Sequence, residues 1–146
     1  MNFYQFNTYP HLLNVHKHIN ERTIFSIETT LSGQNVIRQI RKTKEQGYKI
    51  TMFYVALDDV TQNINRVALR VKKDGHDIPT EDILRRNKTS FDQLFRYAYI
   101  IDTLVLIDNS LDDGKIILEV NNNFITFETD YLPAWARPIK EQFEMD

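Results

Sequence analysis

The sequence predicts an α/β fold: a parallel sheet with helices on both faces and a β-hairpin added near the C-terminus. Three observations predict it. Short β-forming runs alternate with amphipathic runs between Leu12 and Ser110. Two of the strand runs, Tyr48–Leu57 (YKITMFYVAL) and Asp102–Ile107 (DTLVLI), are apolar on both faces, as strands inside a parallel sheet are. Beyond Ser110, two further strand runs flank Asn121-Asn122-Asn123, and asparagine tolerates the positive φ of a tight hairpin.

The elements follow in order. His11–Asn20 reads as a short helix that offers Leu12, Leu13, Val15 and Ile19 for packing. Thr23–Glu28 (TIFSIE) is β-branched and aromatic, which favours a strand. Leu31-Ser32-Gly33 makes a turn. Gln34–Gln46 is helical, with Val36, Ile37 and Ile40 on its apolar side and Gly47 as its C′ residue. Tyr48–Leu57 follows as a central strand. Asp58 or Asp59 caps a helix whose stripe is Val60, Ile64, Val67 and Val71. Lys72-Lys73-Asp74-Gly75 closes that helix, and His76–Pro79 forms a loop. Thr80 is the N-cap of a long helix to about Tyr99, burying Ile83, Leu84, Phe91, Leu94, Phe95 and Ala98. Asp102–Ile107 is the next strand. Lys115–Val120 and Phe124–Thr129 form the hairpin, and a short helix ends the chain beyond Pro133, Trp135 and Pro138.

Composition narrows the function classes. The 146 residues amount to about one domain, and 42% of them are hydrophobic, enough for a real core. A net charge of −2 supplies no global field toward nucleic acid or membrane. The chain has no cysteine, which excludes disulfides and thiolate metal sites and fits a bacterial-type cytoplasmic setting. No apolar run reaches the roughly 20 residues of a membrane helix. The first residues lack the basic flank and apolar core of a signal peptide.

Ligands on parallel sheets sit at the C-terminal ends of the strands. That rule points to Glu28-Thr29-Thr30, Leu57-Asp58-Asp59 and Asp108-Asn109-Ser110. A carboxylate at Glu28 can accept a substrate hydroxyl, act as a general base or hold a metal-bound water. It can equally be a polar strand end that caps the following helix. Asp108-Asn109-Ser110 is also ordinary turn chemistry, and that reading stands first. From Arg66 to Lys88 the chain carries seven cations against four acids, a local charge of +3. Arg66 and Arg70 share a helix face, and Arg85 and Arg86 follow across the loop that holds His76. Such arginines suit phosphate oxygens through bidentate contacts; the alternative is a solvated charged face. The histidines His11, His16, His18 and His76 show no metal-ligand spacing, so no zinc site is expected. Phe91, Phe95, Tyr97 and Tyr99 read as packing residues. No GxxxxGK[ST] accompanies the glycines Gly33, Gly47, Gly75 and Gly114.

Four segments in order, FSIETTLSG (Phe25–Gly33), RVALRVKKDGHDIP (Arg66–Pro79), ILRRN (Ile83–Asn87) and IDNS (Ile107–Ser110), resemble the zeta-toxin-like kinase family. The resemblance covers about Leu12 to Val120. It implies a truncated P-loop NTPase-like sheet, and phosphoryl transfer from ATP with Mg²⁺ to a small molecule such as a UDP-activated amino sugar. Glu28, Thr29, Thr30 and Ser32 match the segment that lines the acceptor pocket, with Glu28 the catalytic candidate. Arg66, Arg70, Arg85 and Arg86 match lid arginines on the ATP phosphates, and His76 lies in the lid loop. Asn87 departs from the Arg or Tyr usual at its position.

On this resemblance residues 1–146 form one domain: 1–10 a divergent N-terminus, 11–110 a kinase-like core, 111–146 the hairpin and tail. The family's P-loop strand lies between the strands matched by Thr23–Glu28 and Tyr48–Leu57, and residues 1–10 hold no P-loop. Either Asn2–Asn7 supplies a replacement strand, or the two flanking strands pair directly. An open edge on Tyr48–Leu57 contradicts both ideas. The expected function is a kinase-like domain that is inactive as this chain. The alternatives are a non-catalytic interaction protein and a truncated form of an active kinase. A nucleotide or nucleotide-sugar is the expected ligand, and a second copy or an antitoxin-like protein the expected partner. No membrane partner is expected, and nucleic acid ranks last.

Overall fold

The computed structural model describes residues 8–73, 77–111 and 113–144; the side chains of residues 8–14 and 60 lie outside that description. The order is α1 (Thr8–Glu21), α2 (Gln34–Glu45), β1 (Thr51–Ala56), α3 (Val60–Val71), α4 (Thr80–Tyr97), β2 (Thr103–Asp108), β3 (Lys115–Asn121), β4 (Phe124–Glu128) and α5 (Arg137–Gln142). A 3-10 turn, Ala98–Ile100, extends α4 toward β2.

The chain is mixed α/β, with an open four-stranded sheet in the order β1-β2-β3-β4. Only β1 and β2 are parallel, in register from Thr51↔Thr103 to Ala56↔Asp108. β2–β3 and β3–β4 are antiparallel. The expected parallel sheet is therefore corrected to a mixed one, because the C-terminal hairpin joins β2 directly. Asn122 and Asn123 turn that hairpin with φ of 49° and 68°, the left-handed pair a two-residue turn requires.

The core lies against one face of the sheet. Met52↔Leu104, Leu104↔Val120 and Val120↔Ile125 make one row across all four strands. Against this face pack Val36, Ile37 and Ile40 of α2, Leu94 of α4, Ala98 and Ile139. Full burial of each large side chain contributes about 1.5–3 kcal/mol. The opposite face carries the row Phe53↔Val105, Val105↔Glu119 and Glu119↔Phe127. None of these four joins the core cluster, and Phe53 and Phe127 are 65% and 45% exposed. Helices on both faces were expected; among the described residues the packed core is one-sided.

Local signals held where short-range physics decides. Gly47 follows α2 with φ 86°. Asp59, not Asp58, caps α3, and its carboxylate accepts the Thr61 N–H at 2.8 Å. Ile64, Val67 and Val71 form the inner side of α3 but are only half-buried. At α4 the cap is Pro79 and Thr80 is the first helical residue. Leu94 and Ala98 are buried and Phe91 is half-buried; Leu84 and Phe95 are exposed, so the stripe expected of α4 is narrower than its sequence suggests.

Two strand expectations fail. Thr23–Glu28 is not a strand: it runs as irregular chain with Ile24 98% exposed. Its one anchored ring, Phe25, stacks on His18 at 5.5 Å and meets Tyr48 edge-on at 5.8 Å. Ring contacts to α1 and to the chain ahead of β1 hold it away from any ladder. Nor is the Tyr48–Leu57 strand central: β1 is an edge strand. Direct pairing of these two segments is thereby ruled out. The Asn2–Asn7 alternative falls outside the described residues.

Candidate functional site

The C-terminal ends of the parallel strands carry the densest polar network near α3. β2 ends at Asp108, whose Oδ1 accepts the Ser110 N–H at 3.0 Å and the Ser110 hydroxyl at 2.6 Å. Ser110 Oγ in turn accepts the Asp58 N–H at 2.9 Å, tying the end of β1 to the turn after β2. The Asn109 N–H donates to Ala56 O at 2.8 Å, which closes the same seam. The Asp-Asn-Ser turn chemistry is thus satisfied locally.

Arg66 projects from α3 onto this seam. Its Nη2 donates to Asn109 O at 2.9 Å. With the Asn109 amide oxygen turned toward it, Nη1 donates there at 3.2 Å. The partly buried guanidinium is therefore fixed at the mouth of β1 and β2, where α/β sheets take ligands. Gly114 stands behind the seam: a Cβ there meets Ile107 Cγ2 at 3.3 Å and Asn109 Oδ1 at 3.5 Å. Asp59 lies at the same end, and its bonds from Thr61, side chain first and then backbone, hold its carboxyl below the ordinary range.

The other expected site residues lie apart from this seam or outside the described residues. Glu28, Thr29 and Thr30 are exposed on the irregular chain before α2, so Glu28 does not end a sheet strand. It does not cap α2 either, because the N-cap is Gly33. The hydroxyls there bond one another: Thr30 Oγ1 and Ser32 Oγ lie 2.7 Å apart, and Thr29 Oγ1 accepts the Leu31 N–H at 3.1 Å. Leu31 pins this loop from below, buried with a left-handed φ of 55°. Arg70 lies one turn beyond Arg66 on α3 and is exposed. Arg85 and Arg86 are exposed on α4, and Arg85 pairs with Asp82 on its own helix at 2.9 Å. His76 lies outside the described residues.

Sequence reasoning missed two polar links. Tyr54 Oη and Ser90 Oγ lie 3.1 Å apart between β1 and α4. Burial pushes the Tyr54 phenol up, against the smaller opposing effect of the Ser90 bond. Asp102 binds the Ile50 N–H and the Lys44 ammonium. No spacing rule flags either pair, because each joins elements distant in sequence.

The residues present do not fit a Mg²⁺–ATP group. Among the described residues no three of His, Asp or Glu come together as a metal site. Among them, too, no helix opens on a glycine-rich turn directly behind a strand. No described helix is long and apolar enough to cross a membrane.

No protein-family model matches the chain, and no solved structure matches it. A curated relative does. It is an uncharacterized protein of Haemophilus influenzae (strain ATCC 51907 / DSM 11121 / KW20 / Rd), 36% identical over 70 residues. Those residues are 48% of this chain and 49% of the relative, so the chain spans about half the length of the relative it matches. The match brings no activity with it.

Proposed function

We propose that this chain is a kinase-related domain of the zeta-toxin type that binds a phosphorylated small molecule, such as a UDP-amino sugar, without itself transferring phosphate. The observation that carries the reading is Arg66, held by Asn109 at the C-terminal ends of β1 and β2. A fixed guanidinium in that position suits phosphate oxygens. The order of the four segments, from FSIETTLSG to IDNS, supports the family reading. On it, the β1–α3–α4–β2 crossover is the retained part of a P-loop NTPase-like sheet. Thr29, Thr30 and Ser32 with Glu28 are then the acceptor side, and Arg70, Arg85 and Arg86 lid cations that move onto the phosphates when ligand binds. Phosphoryl transfer rests on electrostatic cradling of the moving group, and this chain carries no GxxxxGK[ST] to supply it.

Calorimetry of the full chain with a UDP-amino sugar and, separately, with ATP–Mg²⁺ tests this. Heat from the UDP-sugar and no phosphorylated product is the expected result. Silence with every UDP-sugar removes the binding reading, and ATP-dependent phosphorylation removes the inactive one. A second reading, a protein-interaction module, is favoured by the exposed apolar residues of β1.

A further inference from the structure

Strand β1 has β2 on one side and no backbone partner on the other among the described residues. Ile50 O accepts the Thr103 N–H and Ala56 O accepts the Asn109 N–H, so the even-numbered residues face β2. The N–H and C=O groups of Thr51, Phe53 and Val55 therefore point to the open edge. Natural edge strands are guarded by a charge, a proline or a bulge. Thr51–Ala56 (TMFYVA) has no charge and no proline, and its register with β2 runs without a bulge. Phe53 and Val55 are 65% and 51% exposed.

We propose that β1 pairs antiparallel with β1 of a second copy, about a two-fold axis at Tyr54, to form one continuous sheet. A two-fold axis perpendicular to the sheet keeps each face on its own side, so odd-numbered residues lie opposite odd-numbered ones. The outward N–H and C=O groups of Phe53 then meet those of Val55 in the other copy, and the two exposed side chains become a cross-strand pair. Charge selects this register. With Tyr54 on the axis, Lys49 lies opposite Asp59 at both ends of the pairing, and both residues are exposed. With Phe53 on the axis, Lys49 faces Leu57 and neither charge is matched. The pairing is independent of whether the chain binds a UDP-sugar.

Sedimentation equilibrium of the full chain tests it. The expected mass is twice 17.3 kDa at high micromolar concentration. Phe53→Pro removes one outward N–H and leaves the β1–β2 ladder intact, and weakens the dimer on the order of tenfold or more. Lys49→Glu sets like charges opposite each other and weakens it several-fold, with the loss shrinking as salt rises. Circular dichroism confirms that each variant is folded; should Phe53→Pro unfold, Lys49→Glu decides. A chain that stays at 17.3 kDa overturns the proposal, including one that gains mass only with a different protein. So does a dimer that neither substitution weakens.

Discussion

Asp102, one residue ahead of β2, accepts the backbone N–H of Ile50, one residue ahead of β1, at 2.8 Å. Its other carboxylate oxygen takes the Lys44 ammonium at 3.1 Å, and the same ammonium donates to Ile100 O at 2.6 Å. One side chain thus ties α2, β1 and β2 together where the parallel pair begins. Burial pushes the Asp102 carboxyl up. The Ile50 bond, the Lys44 bond and the charges of Lys44 and Lys49 outweigh burial, and the net position is below the ordinary value of 3.8. The contribution to stability is therefore complete above that value and is lost as pH falls through the lower folded-state one. Asp102→Ala is expected to cost about 1–3 kcal/mol in urea unfolding near neutral pH. Asp102→Asn keeps an acceptor for Ile50, costs less, and flattens the acid limb of the stability profile. An unchanged acid limb in Asp102→Asn removes this residue from the pH dependence.

Arg66 separates a phosphate site from a solvated face. Arg66→Lys keeps the charge but loses the planar fork that reaches the Asn109 carbonyl. It is expected to lower UDP-sugar affinity by about tenfold, or about 1.4 kcal/mol, in calorimetry. Arg85→Ala, on an exposed residue paired with Asp82, is expected to have the smaller effect. Equal affinities for wild type and Arg66→Lys return the cations to the solvated-face reading.

Leu31 combines burial with a backbone conformation that side chains with a Cβ rarely adopt. It touches the α2 and α4 core from a loop, so the loop stays in place only because the leucine is anchored. Leu31→Ala is expected to cost about 2–4 kcal/mol by thermal or urea unfolding. Leu31→Gly relaxes the backbone but loses the same packing, and is expected to be no more stable than the alanine variant. A cost under about 0.5 kcal/mol for Leu31→Ala removes the anchor.

Much of this architecture was legible in the sequence, and the failures share a cause. Gly47, Asp59, and Asn122 with Asn123 were read correctly because their work is done within a turn of their own position. Tyr48–Leu57 was recognised as a strand but misplaced in the sheet. An apolar strand is identical in sequence whether its second face is covered or bare, so Phe53 and Val55 carry no mark of exposure. TIFSIE failed for a related reason. β-propensity describes fit to a pleated surface, and Phe25 found His18 and Tyr48 instead. At the site, the Asp-Asn-Ser turn and Arg66 were each named, but the bond joining Asn109 to Arg66 spans α3, α4 and β2, beyond any local pattern.

The hairpin offers a stabilising change. Asn123 has φ 68°, a conformation that glycine adopts without steric cost. Asn123→Gly is expected to raise stability by up to about 1 kcal/mol, read as a higher melting temperature. Asn123→Val is expected to lower it, because a β-branched residue is strained at positive φ. A Val variant that melts with the wild type contradicts the turn geometry.

The sheet also has a built-in order of assembly. β2, β3 and β4 follow one another along the chain and close through short turns, whereas β1 reaches β2 only after the whole α3–α4 excursion. Loop-closure entropy penalises that last pairing most. The meander is thus expected to form first and β1 to be recruited late, after α4 has docked. In native-state hydrogen exchange the amides of Met52 and Tyr54 should open before those of Leu106 and Leu118.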